Sequence, residues 1–491
     1  MKVSHLPNYL DMTSTQLSRL PVSNPVRSFW NADPKKFDDY QSTSILPSVA
    51  DVVIIGSGLS GVATAHYLLK DNPHCPSVVL LEARQICSGA TGRNGGHVKP
   101  DTYSDIPKFA KLLGIEAASE LADFEASHVH AIKELVETEK IDCDFHMTRA
   151  LDVYLDADHA NEVEATYKSL EKLEVLNLHD VAVTSGKDAE RVSDYETHEI
   201  HHANKIHHTK ISGVKNAKLC VSYTAAHLWP SKLVHQLLDR LVHQSLSLQA
   251  HTPVLSVDPS QDKNYPWVVR SPRGEIRAKN VVHATNAYAS SILSEYKNAI
   301  TPVRGICSHI ESPLGAETPH LINTYGIRFD RVNNDYLIPR ADGSIIVGGA
   351  RQAFWKQKDR WFDNVKDDGI IEETEAYFRD YMQRHFRGWE KSKMKTKKIW
   401  SGILGYSSDF MPHVGEVPGK NGQYIIAGFT GYGMPKILLC ANSLADMIKT
   451  EVPFEKTGLP KAFKSTKERN ESKKNIMKDS YSSLWRNDAK L

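Results

Sequence analysis

A glycine-rich segment between two short apolar runs near the N-terminus constrains the fold of this chain more than any other feature. Asp51–Ile55 predicts a buried strand that leads into a helix. A G-x-G-x-x-G motif, formed by Gly56, Gly58 and Gly61, lies at the junction, and the next apolar run ends in Glu82. This order predicts a βαβ unit that binds a dinucleotide: a strand, a glycine turn, a helix and a second strand that ends in an acid.

Each residue of this motif has a physical reason to be there. Gly56 permits the tight turn, Gly58 lets the backbone approach a pyrophosphate, and Gly61 lets the helix pack close to the strand. The start of the helix offers unpaired N–H groups to the phosphates. Glu82 can accept hydrogen bonds from the adenosine ribose and would repel a 2′-phosphate, so the motif favours FAD or NAD over NADP. The alternative is a βαβ unit without a ligand.

A second glycine-rich cluster, Ser88–Gly96, follows shortly after the acid and has the sequence S-G-A-T-G-R-N-G-G. A nicotinamide cofactor does not require a second loop here, whereas FAD is longer and its flavin end must be carried past the first helix. The alternative is a flexible surface loop with no role in binding. The order of the two clusters favours FAD.

Ser88–Gly96 resembles an element of the D-amino-acid oxidase superfamily, the FAD-dependent amine oxidoreductases, and the G-R-N-G-G sequence is nearest to gamma-glutamylputrescine oxidases and related amine oxidases. Three later segments are similar to the same family. They are the strand Val281–Asn286, the D-x-x-P-x-x-G segment within Ser407–Val417, and the glycine turn Gly428–Met434 before a predicted helix at Leu438–Ile448.

The resemblance spans residues 49–450. It implies an α/β protein (α+β overall) in which a Rossmann-like FAD-binding domain of the glutathione-reductase type is interleaved with a mixed-sheet substrate domain. The residues that it places at the FAD are Gly56, Ser57, Gly58, Leu59, Ser60, Gly61, Glu82, Ala83, Ser88, Gly89, Arg93, Asn94, Gly95, Gly96, Val254, Ala284, Gly428, Gly431, Tyr432, Gly433 and Met434.

The predicted domains are discontinuous. They are an N-terminal arm (1–48), an FAD-binding domain (49–109, 222–299 and 400–450), a substrate domain (110–221 and 300–399) and a C-terminal tail (451–491).

Composition excludes several classes of partner. The chain has 491 residues and a net charge of +1, so no field for nucleic acid is expected, and no apolar run is long enough to span a bilayer. No secretory or mitochondrial signal is evident at the N-terminus.

Six scattered cysteines without a C-x-x-C spacing predict reduced packing residues of an intracellular protein. Histidines crowd residues 198–208 without a ligand pattern, which predicts a solvated loop and no metal site.

The chain ends in Ala489-Lys490-Leu491, a close variant of the S-K-L peroxisomal address. Glu455–Asp488 is rich in lysine, and we expect it to be partly disordered and to leave the tripeptide exposed to an import receptor. Peroxides made by flavin oxidases are destroyed in peroxisomes, which favours this location. The alternative is a chance match in a cytoplasmic protein.

The resemblance also implies candidates on the substrate side. Lys99, after the second glycine cluster, could hold a substrate carboxylate or favour O₂ reduction, or lie on the surface. Tyr336 and Arg340 occupy a segment that faces the substrate domain, where Arg340 either binds an acidic substrate or belongs to a hairpin turn. Lys436 is expected to be a surface lysine at a helix start. His97 is expected to pack as a neutral ring against the flavin, the alternative being a covalent flavin link.

Two departures from the family pattern bear on the chemistry. D-amino-acid oxidases carry a carboxylate-binding arginine in the segment that corresponds to Trp400–Tyr406, which has none here. A substrate amine with a remote polar group is therefore favoured over an ordinary α-amino acid. Sarcosine oxidases carry a flavin-linking cysteine near the same segment, and its absence predicts non-covalent FAD.

The predicted function is oxidation of a C–N bond in a small amine or amino-acid-like substrate by hydride transfer to flavin, with O₂ as acceptor and H₂O₂ as product. Two alternatives remain at this point. One is an FAD dehydrogenase that uses another acceptor, and the other is a non-catalytic flavoprotein with a binding or trafficking role.

Overall fold

The computed structural model describes residues 19–173, 175–190, 212–313 and 318–479. The strands, in chain order, are β1 (Val49–Ile55), β2 (Val78–Leu81), β3 (His97–Val98), β4 (His146–Tyr154), β5 (Ala182–Ser185), β6 (Leu219–His227), β7 (Leu246–Gln249), β8 (Ser256–Pro259), β9 (Trp267–Ser271), β10 (Gly274–His283), β11 (Ile300–Glu311), β12 (Thr324–Arg328), β13 (Asn334–Pro339), β14 (Ile345–Gly348), β15 (Lys395–Ser407), β16 (His413–Glu416) and β17 (Gln423–Ala427).

The α-helices of the described residues are α1 (Leu59–Leu69), α2 (Ile106–Leu113), α3 (Ile115–Thr138), α4 (Ala157–Leu170), α5 (Lys187–Glu190), α6 (Pro230–Gln244), α7 (Glu373–Phe378), α8 (Tyr381–His385), α9 (Ile437–Thr450) and α10 (Lys467–Glu471).

The first sheet has the order β16-β17-β10-β1-β2-β7. In addition, β9 pairs with β10, and β8 pairs with β9. The pairs β17-β10, β10-β1, β1-β2 and β2-β7 are parallel. The run Val52–Ile55 of β1 and all of β2 are apolar and buried, as strands of a parallel sheet covered on both faces are. Helices α1, α6 and α9 pack on one face and share its largest apolar core. The strand and helix predicted around the first glycine motif are confirmed.

The second sheet has the order β15-β11-β14-β13-β12-β4-β6-β3, with β5 beside β6. Its β4-β12 pair is parallel, whereas the other pairs are antiparallel. The sheet is therefore mixed, and the predicted fold class is confirmed.

The chain passes repeatedly between the two sheets. The strands β3, β6 and β15 belong to the second sheet, although each lies wholly or partly within a segment predicted for the FAD-binding domain. The predicted boundaries at residues 222 and 400 fall inside β6 and β15, because each of these strands continues into a segment that reaches the first sheet. The domain division itself stays a prediction.

Two sequence predictions differ from the structure. The helix-forming side chains of Glu372–Arg384 predict one long helix, but the structure interrupts it between α7 and α8, where Asp380 has a φ of 50°. The tail was expected to be partly disordered from Glu455 onward, yet the described part packs on the fold, with Phe463 and Met477 buried. Aromatic and methionine side chains within the lysine-rich tail provide the apolar surface that fixes it.

Other expectations concern absences or lie outside the described residues. Among the described helices, none combines the length and apolarity that a membrane span requires. Within the same residues, no cluster of three or more histidine, cysteine or acidic side chains could hold a metal ion. The histidines at 198–208 and the Ala489-Lys490-Leu491 tripeptide lie outside the described residues. The cysteines are free thiols, buried except for Cys75.

Candidate active site

A cavity of about 510 Å³ lies where the carboxyl ends of the parallel strands meet the second sheet. This end of an open parallel sheet is where α/β proteins bind their ligands. Residues that follow β1, β2, β10 and β17 line one side, and residues of β11, β12 and β13 line the other. Of the predicted FAD residues, the cavity walls include Gly56, Gly58, Ser60, Glu82, Ala83, Gly89, Arg93, Asn94, Gly95, Val254, Ala284, Gly431, Tyr432, Gly433 and Met434.

The first glycine turn has no room for side chains. Gly56 has a φ of 110°, and a Cβ there would lie 2.7 Å from the carbonyl oxygen of Ala284. A Cβ on Gly61 would lie 1.9 Å from the carbonyl oxygen of Gly56, so this glycine lets α1 approach the turn. Gly58 lines the cavity at the start of α1. The bare start of this helix suits the diphosphate of a dinucleotide.

The acid after β2 is held at the cavity wall. Glu82 Oε2 accepts hydrogen bonds from the Ser57 backbone N–H at 2.9 Å and from Ser57 Oγ at 2.7 Å. Its Oε1 accepts from the Arg84 backbone N–H at 3.0 Å. Each carboxylate oxygen has two lone pairs, so Oε1, which accepts one hydrogen bond here, keeps capacity for a ribose hydroxyl. These residues fit the adenosine end of FAD.

The second glycine cluster joins the two sheets. Arg93 donates from Nη1 to the Ser401 carbonyl of β15 at 2.6 Å, and its Nε lies 3.3 Å from a carboxylate oxygen of Asp367. Gly95 is required by packing, because a Cβ there would lie 2.2 Å from Cε2 of the Tyr336 ring. This cluster therefore brings the glycine loop and the second sheet into direct contact at the cavity.

Six predicted FAD residues support the cavity from behind and do not line it: Ser57, Leu59, Gly61, Ser88, Gly96 and Gly428. The Leu59 N–H donates to Thr91 Oγ1 at 2.9 Å, which ties the two glycine clusters together. The Ser88 carbonyl accepts from Arg93 Nε at 2.7 Å. Gly96 and Gly428 have φ values of 76° and 78°, which most side chains disfavour.

Tyr336 and Lys99 both line the cavity. Tyr336 lies opposite Gly326 and Gly348 in neighbouring strands, and its OH is 3.1 Å from Cys307 Sγ. Burial raises the pKa of the Tyr336 hydroxyl well above its usual range, so it stays protonated. Lys99 Nζ lies 2.9 Å from Asp152 Oδ1. Lys99 is therefore a largely buried, paired cation and not a surface lysine.

Arg340 does not line the cavity, which corrects the substrate-binding alternative, and it begins the hairpin turn between β13 and β14, as the other alternative expects. Its guanidinium pairs with Asp144 and lies over the rings of Trp30 and Trp229, with centroid distances of 5.2 and 5.0 Å. The residue follows β13 by one position, and this places its side chain among aromatic groups behind the sheet. It stabilises the packing of the N-terminal arm.

Lys436 also differs from its prediction as a surface lysine. It is 9% exposed, lines the cavity, and places Nζ 2.7 Å from Glu125 Oε1. His97 lines the cavity too, with Nε2 hydrogen-bonded to Thr324 Oγ1 at 2.8 Å. Burial and the neighbouring Lys99 hold the pKa of His97 well below its usual range, so the ring is neutral, as expected from the sequence.

A cluster of charged and phenolic groups behind Lys99 was missed by sequence reasoning. Asp152, fully buried on β4, accepts hydrogen bonds from Tyr103 OH at 3.0 Å and Tyr223 OH at 2.9 Å, and its second cation, Arg328, lies 3.6 Å away. Lys99 and Arg328 outweigh the effect of burial and lower the Asp152 pKa to about 2. The T-Y-G-I-R run of β12 carries the signal, since Gly326 and Arg328 lie on one face of a strand.

The guanidinium of Arg328 is incompletely paired. Its Nε–H is buried without a hydrogen-bond partner among the described residues, although the side chain lines the cavity. A guanidinium presents five donors in a planar fork that matches a carboxylate. This side of the cavity therefore has an open site for an acidic group.

Two cavity carboxyl groups have raised pKa values. Desolvation, with Asp105 and Glu125 nearby, raises the Asp101 pKa to about 6. Desolvation also raises the Asp335 pKa to about 6, although Tyr377 OH and Tyr381 OH donate to it at 2.6 and 2.9 Å. Both groups change charge close to neutral pH, where an amine oxidation is expected to be sensitive to protonation.

Comparison with known proteins identifies similar chains. The profile of a family described as FAD dependent oxidoreductase matches residues 51–447. The probable oxidoreductase OrdL of Haemophilus influenzae is 22% identical, with 81% of this chain and 83% of that protein covered. Human mitochondrial dimethylglycine dehydrogenase is 23% identical, but the match covers 83% of this chain and 43% of that protein. Escherichia coli gamma-glutamylputrescine oxidoreductase is 24% identical, with 53% and 54% covered.

Solved structures share the fold. L-proline dehydrogenase from P. horikoshii superposes with a TM-score of 0.62 at 18% identity, covering 85% of this chain and 98% of that one. Glycine oxidase from Bacillus cereus gives a TM-score of 0.60 at 15% identity, with 82% and 96% covered.

Proposed function

We propose that this chain, which belongs to the FAD-dependent oxidoreductase family and uses FAD as its cofactor, oxidises an amine or amino-acid substrate that carries an acidic group. We propose further that O₂ accepts the electrons and that H₂O₂ is released. FAD would supply a two-electron acceptor when bound: the carbon beside the substrate nitrogen would lose a hydride and the nitrogen a proton, which leaves an imine that water hydrolyses. We also propose that FAD is held without a covalent bond.

The unpartnered guanidinium of Arg328 is the observation that supports an acidic substrate most strongly. Its side chain lines the cavity with a buried Nε–H that has no hydrogen-bond partner in the described chain. Burying such a donor without a partner costs free energy, and a carboxylate would satisfy it. The arginine that D-amino-acid oxidases have in the segment at Trp400–Tyr406 is absent here. Arg328 supplies a guanidinium from a different strand.

The charges around Arg328 favour the same ligand. Two cations, Lys99 and Arg328, surround one carboxylate, Asp152. The hydroxyls of Tyr103 and Tyr223 donate to that carboxylate, and burial raises their pKa well above the usual range. The cluster therefore keeps one excess positive charge. This charge attracts a substrate acid and disfavours the ammonium form of the reacting amine, which must be neutral to be oxidised.

The test is anaerobic mixing of the purified yellow protein with amines that differ by an acidic group. The expected result is bleaching of the flavin band by acidic substrates, followed by recovery and peroxide formation when air is admitted. Bleaching without peroxide on aeration would instead show a dehydrogenase that uses another acceptor. A yellow protein that no amine in a broad panel bleaches would support a non-catalytic role.

A matched pair of variants tests the acid site. Arg328→Gln removes the guanidinium at the cavity, and we expect kcat/KM for an acidic substrate to fall by about tenfold to a hundredfold, the effect of one charge-assisted pair. The activity on an uncharged analogue should change little. Arg331→Gln is the control, because Arg331 pairs with Glu162 at an exposed site. An equal loss for both kinds of substrate would contradict binding of the acid by Arg328.

Location is a separate proposal. We propose import into peroxisomes through Ala489-Lys490-Leu491, on the basis of its similarity to S-K-L. A fluorescent protein fused to the N-terminus should collect in peroxisomes with the intact chain and spread through the cytoplasm when the tripeptide is removed. The same distribution for both chains would refute the proposal.

A further inference from the structure

The described part of the C-terminal tail lies beyond the family match, which ends at residue 447. It nevertheless packs on the fold. Ser465 donates from its backbone N–H to the Val414 carbonyl of the edge strand β16 at 3.0 Å. Further along, the backbone N–H of Met477 donates to the Ser408 carbonyl at 3.1 Å, and the Met477 side chain is fully buried. The tail thus contacts the segment that joins β15 to β16.

Arg469 of α10 makes the central contact. Its Nε and Nη2 donate to the two oxygens of Asp409 at 2.7 and 3.0 Å, a bidentate pair. Nη1 donates to the carbonyls of Pro412 and Lys464 at 3.0 and 2.8 Å, and Nη2 also donates to the carbonyl of Met411 at 2.8 Å. All five guanidinium donors are therefore used. Such complete pairing fixes the position of the acceptors.

One of these acceptors, Met411, belongs to the cavity wall, and Asp409 and Pro412 flank that part of the wall in the chain. Phe410 and Met411, which follow Asp409, both line the cavity. Phe410 has a φ of 68°, a conformation that a bulky residue adopts only when its surroundings hold it there. Lys108 Nζ lies 3.4 Å from the centroid of the Phe410 ring, on the inner side of this wall. The Arg469–Asp409 pair therefore supports a strained residue of the cavity wall.

A second path leads from the same carboxylate to the C-terminal glycine turn. Asp409 Oδ1 accepts from Ser407 Oγ at 2.6 Å, and the Ser407 backbone N–H donates to Thr430 Oγ1 at 3.0 Å. The Thr430 backbone N–H in turn donates to the Gly405 carbonyl at 2.7 Å. Thr430 lines the cavity between Phe429 and Gly431. The tail, the wall and the glycine turn form one continuous set of hydrogen bonds.

We propose that residues 464–477 form a strap that holds the cofactor cavity closed on this side, with Arg469 as its positioning residue. The strap acts through Asp409 on the Phe410–Met411 wall and on the glycine turn, and it slows the release of FAD. This inference rests on the cofactor of the family and does not depend on the substrate or on the electron acceptor.

The experiment measures the release of FAD from the holoprotein after dilution, by the rise in flavin fluorescence. Arg469→Gln should release FAD about tenfold faster, the effect of about one charge-assisted pair. Arg469→Lys keeps the charge without the bidentate geometry and should release FAD at a rate between those of the wild type and Arg469→Gln. The control is Lys467→Gln on the same helix, whose ammonium is exposed and pairs with Glu471 at 3.7 Å; it should release FAD at the unchanged rate.

The melting temperature of each holoprotein, followed by tryptophan fluorescence, separates the strap from simple stabilisation. Faster FAD release from Arg469→Gln at a temperature where the protein stays folded supports the strap. A lower melting temperature with an unchanged release rate would overturn it, because Arg469 would then stabilise only the fold. If Arg469→Gln does not fold, Asp409→Asn decides in the same way, since it keeps the shape of the side chain and removes the charge. Neither measurement requires turnover.

Discussion

Replacement of Asp152 by asparagine tests the charged cluster behind the cavity. Asp152 is fully buried, and its carboxylate accepts hydrogen bonds from Lys99 at 3.1 Å, Tyr103 at 3.0 Å and Tyr223 at 2.9 Å. Removing one partner of a buried ion pair costs about 3–5 kcal/mol, because the remaining charge stays buried. Asp152→Asn leaves two cations, Lys99 and Arg328. We therefore expect the free energy of unfolding at pH 7 to fall by about 3 kcal/mol or more.

The pH dependence gives a second magnitude for the same contacts. The pKa of Asp152 is lowered from the ordinary 3.8 to about 2, which corresponds to about 2.4 kcal/mol. A lowered carboxyl pKa contributes stability above the unfolded value, and that stability is lost as the pH falls through the folded value. The stability difference between the wild type and Asp152→Asn should therefore shrink between pH 4 and pH 2.

Urea unfolding followed by tryptophan fluorescence measures both quantities. Glu162→Gln is a suitable control, because Glu162 forms an exposed pair with Arg331 and should change the stability little. A loss below about 1 kcal/mol at pH 7 would refute the buried pair, since that is the size expected of a surface pair. A difference that stays constant down to pH 2 would refute the lowered pKa.

Three further predictions follow from the packing. Gly61→Ala should purify without FAD, judged by the ratio of absorbance at the flavin and protein bands, because its Cβ would lie 1.9 Å from a carbonyl oxygen. The control is Gly369→Ala, which should stay yellow, because Gly369 does not line the cavity and its Cβ would make only an ordinary contact of 3.9 Å with Arg304 Nη2. Arg340→Gln should lower the melting temperature and leave KM for the substrate unchanged. A raised KM would show that Arg340 takes part in binding the substrate. Burial raises the pKa of Asp335 to about 6, so the stabilisation that its protonated form contributes should be lost as the pH rises from 4 to 6. Urea unfolding should show this loss for the wild type and not for Asp335→Asn.

Local patterns in the sequence were sufficient for the first βαβ unit. The β1 strand, the turn at Gly56 and helix α1 depend on apolar runs and on glycines at fixed spacing, which act within a few residues of each other. The same local rule failed for residues 372–384, where helix-forming side chains predict one helix. Asp380 there adopts a left-handed conformation, and two short helices result.

The substrate side depended on strand pairing between distant parts of the chain. Asp152 lies opposite Gly326 in the parallel β4-β12 pair, and Gly326 lies opposite Tyr336 in the β12-β13 pair. These pairs place an acid, a glycine and a tyrosine in one row, with Arg328 two residues along the same face. No local pattern fixes the register of strands so far apart in the chain.

The sequence by itself determined the family, the cofactor and the position of the glycine turns, because each turn is a local backbone requirement that glycine alone meets. Only the tertiary structure decided which cations reach the cavity. In the folded chain Arg340 pairs with Asp144 beside two tryptophans, and Lys436 is buried against Glu125. Arg328 lines the cavity. The physical reason is that a charged side chain takes its role from the partners that folding brings to it, and here those partners lie on other strands and helices.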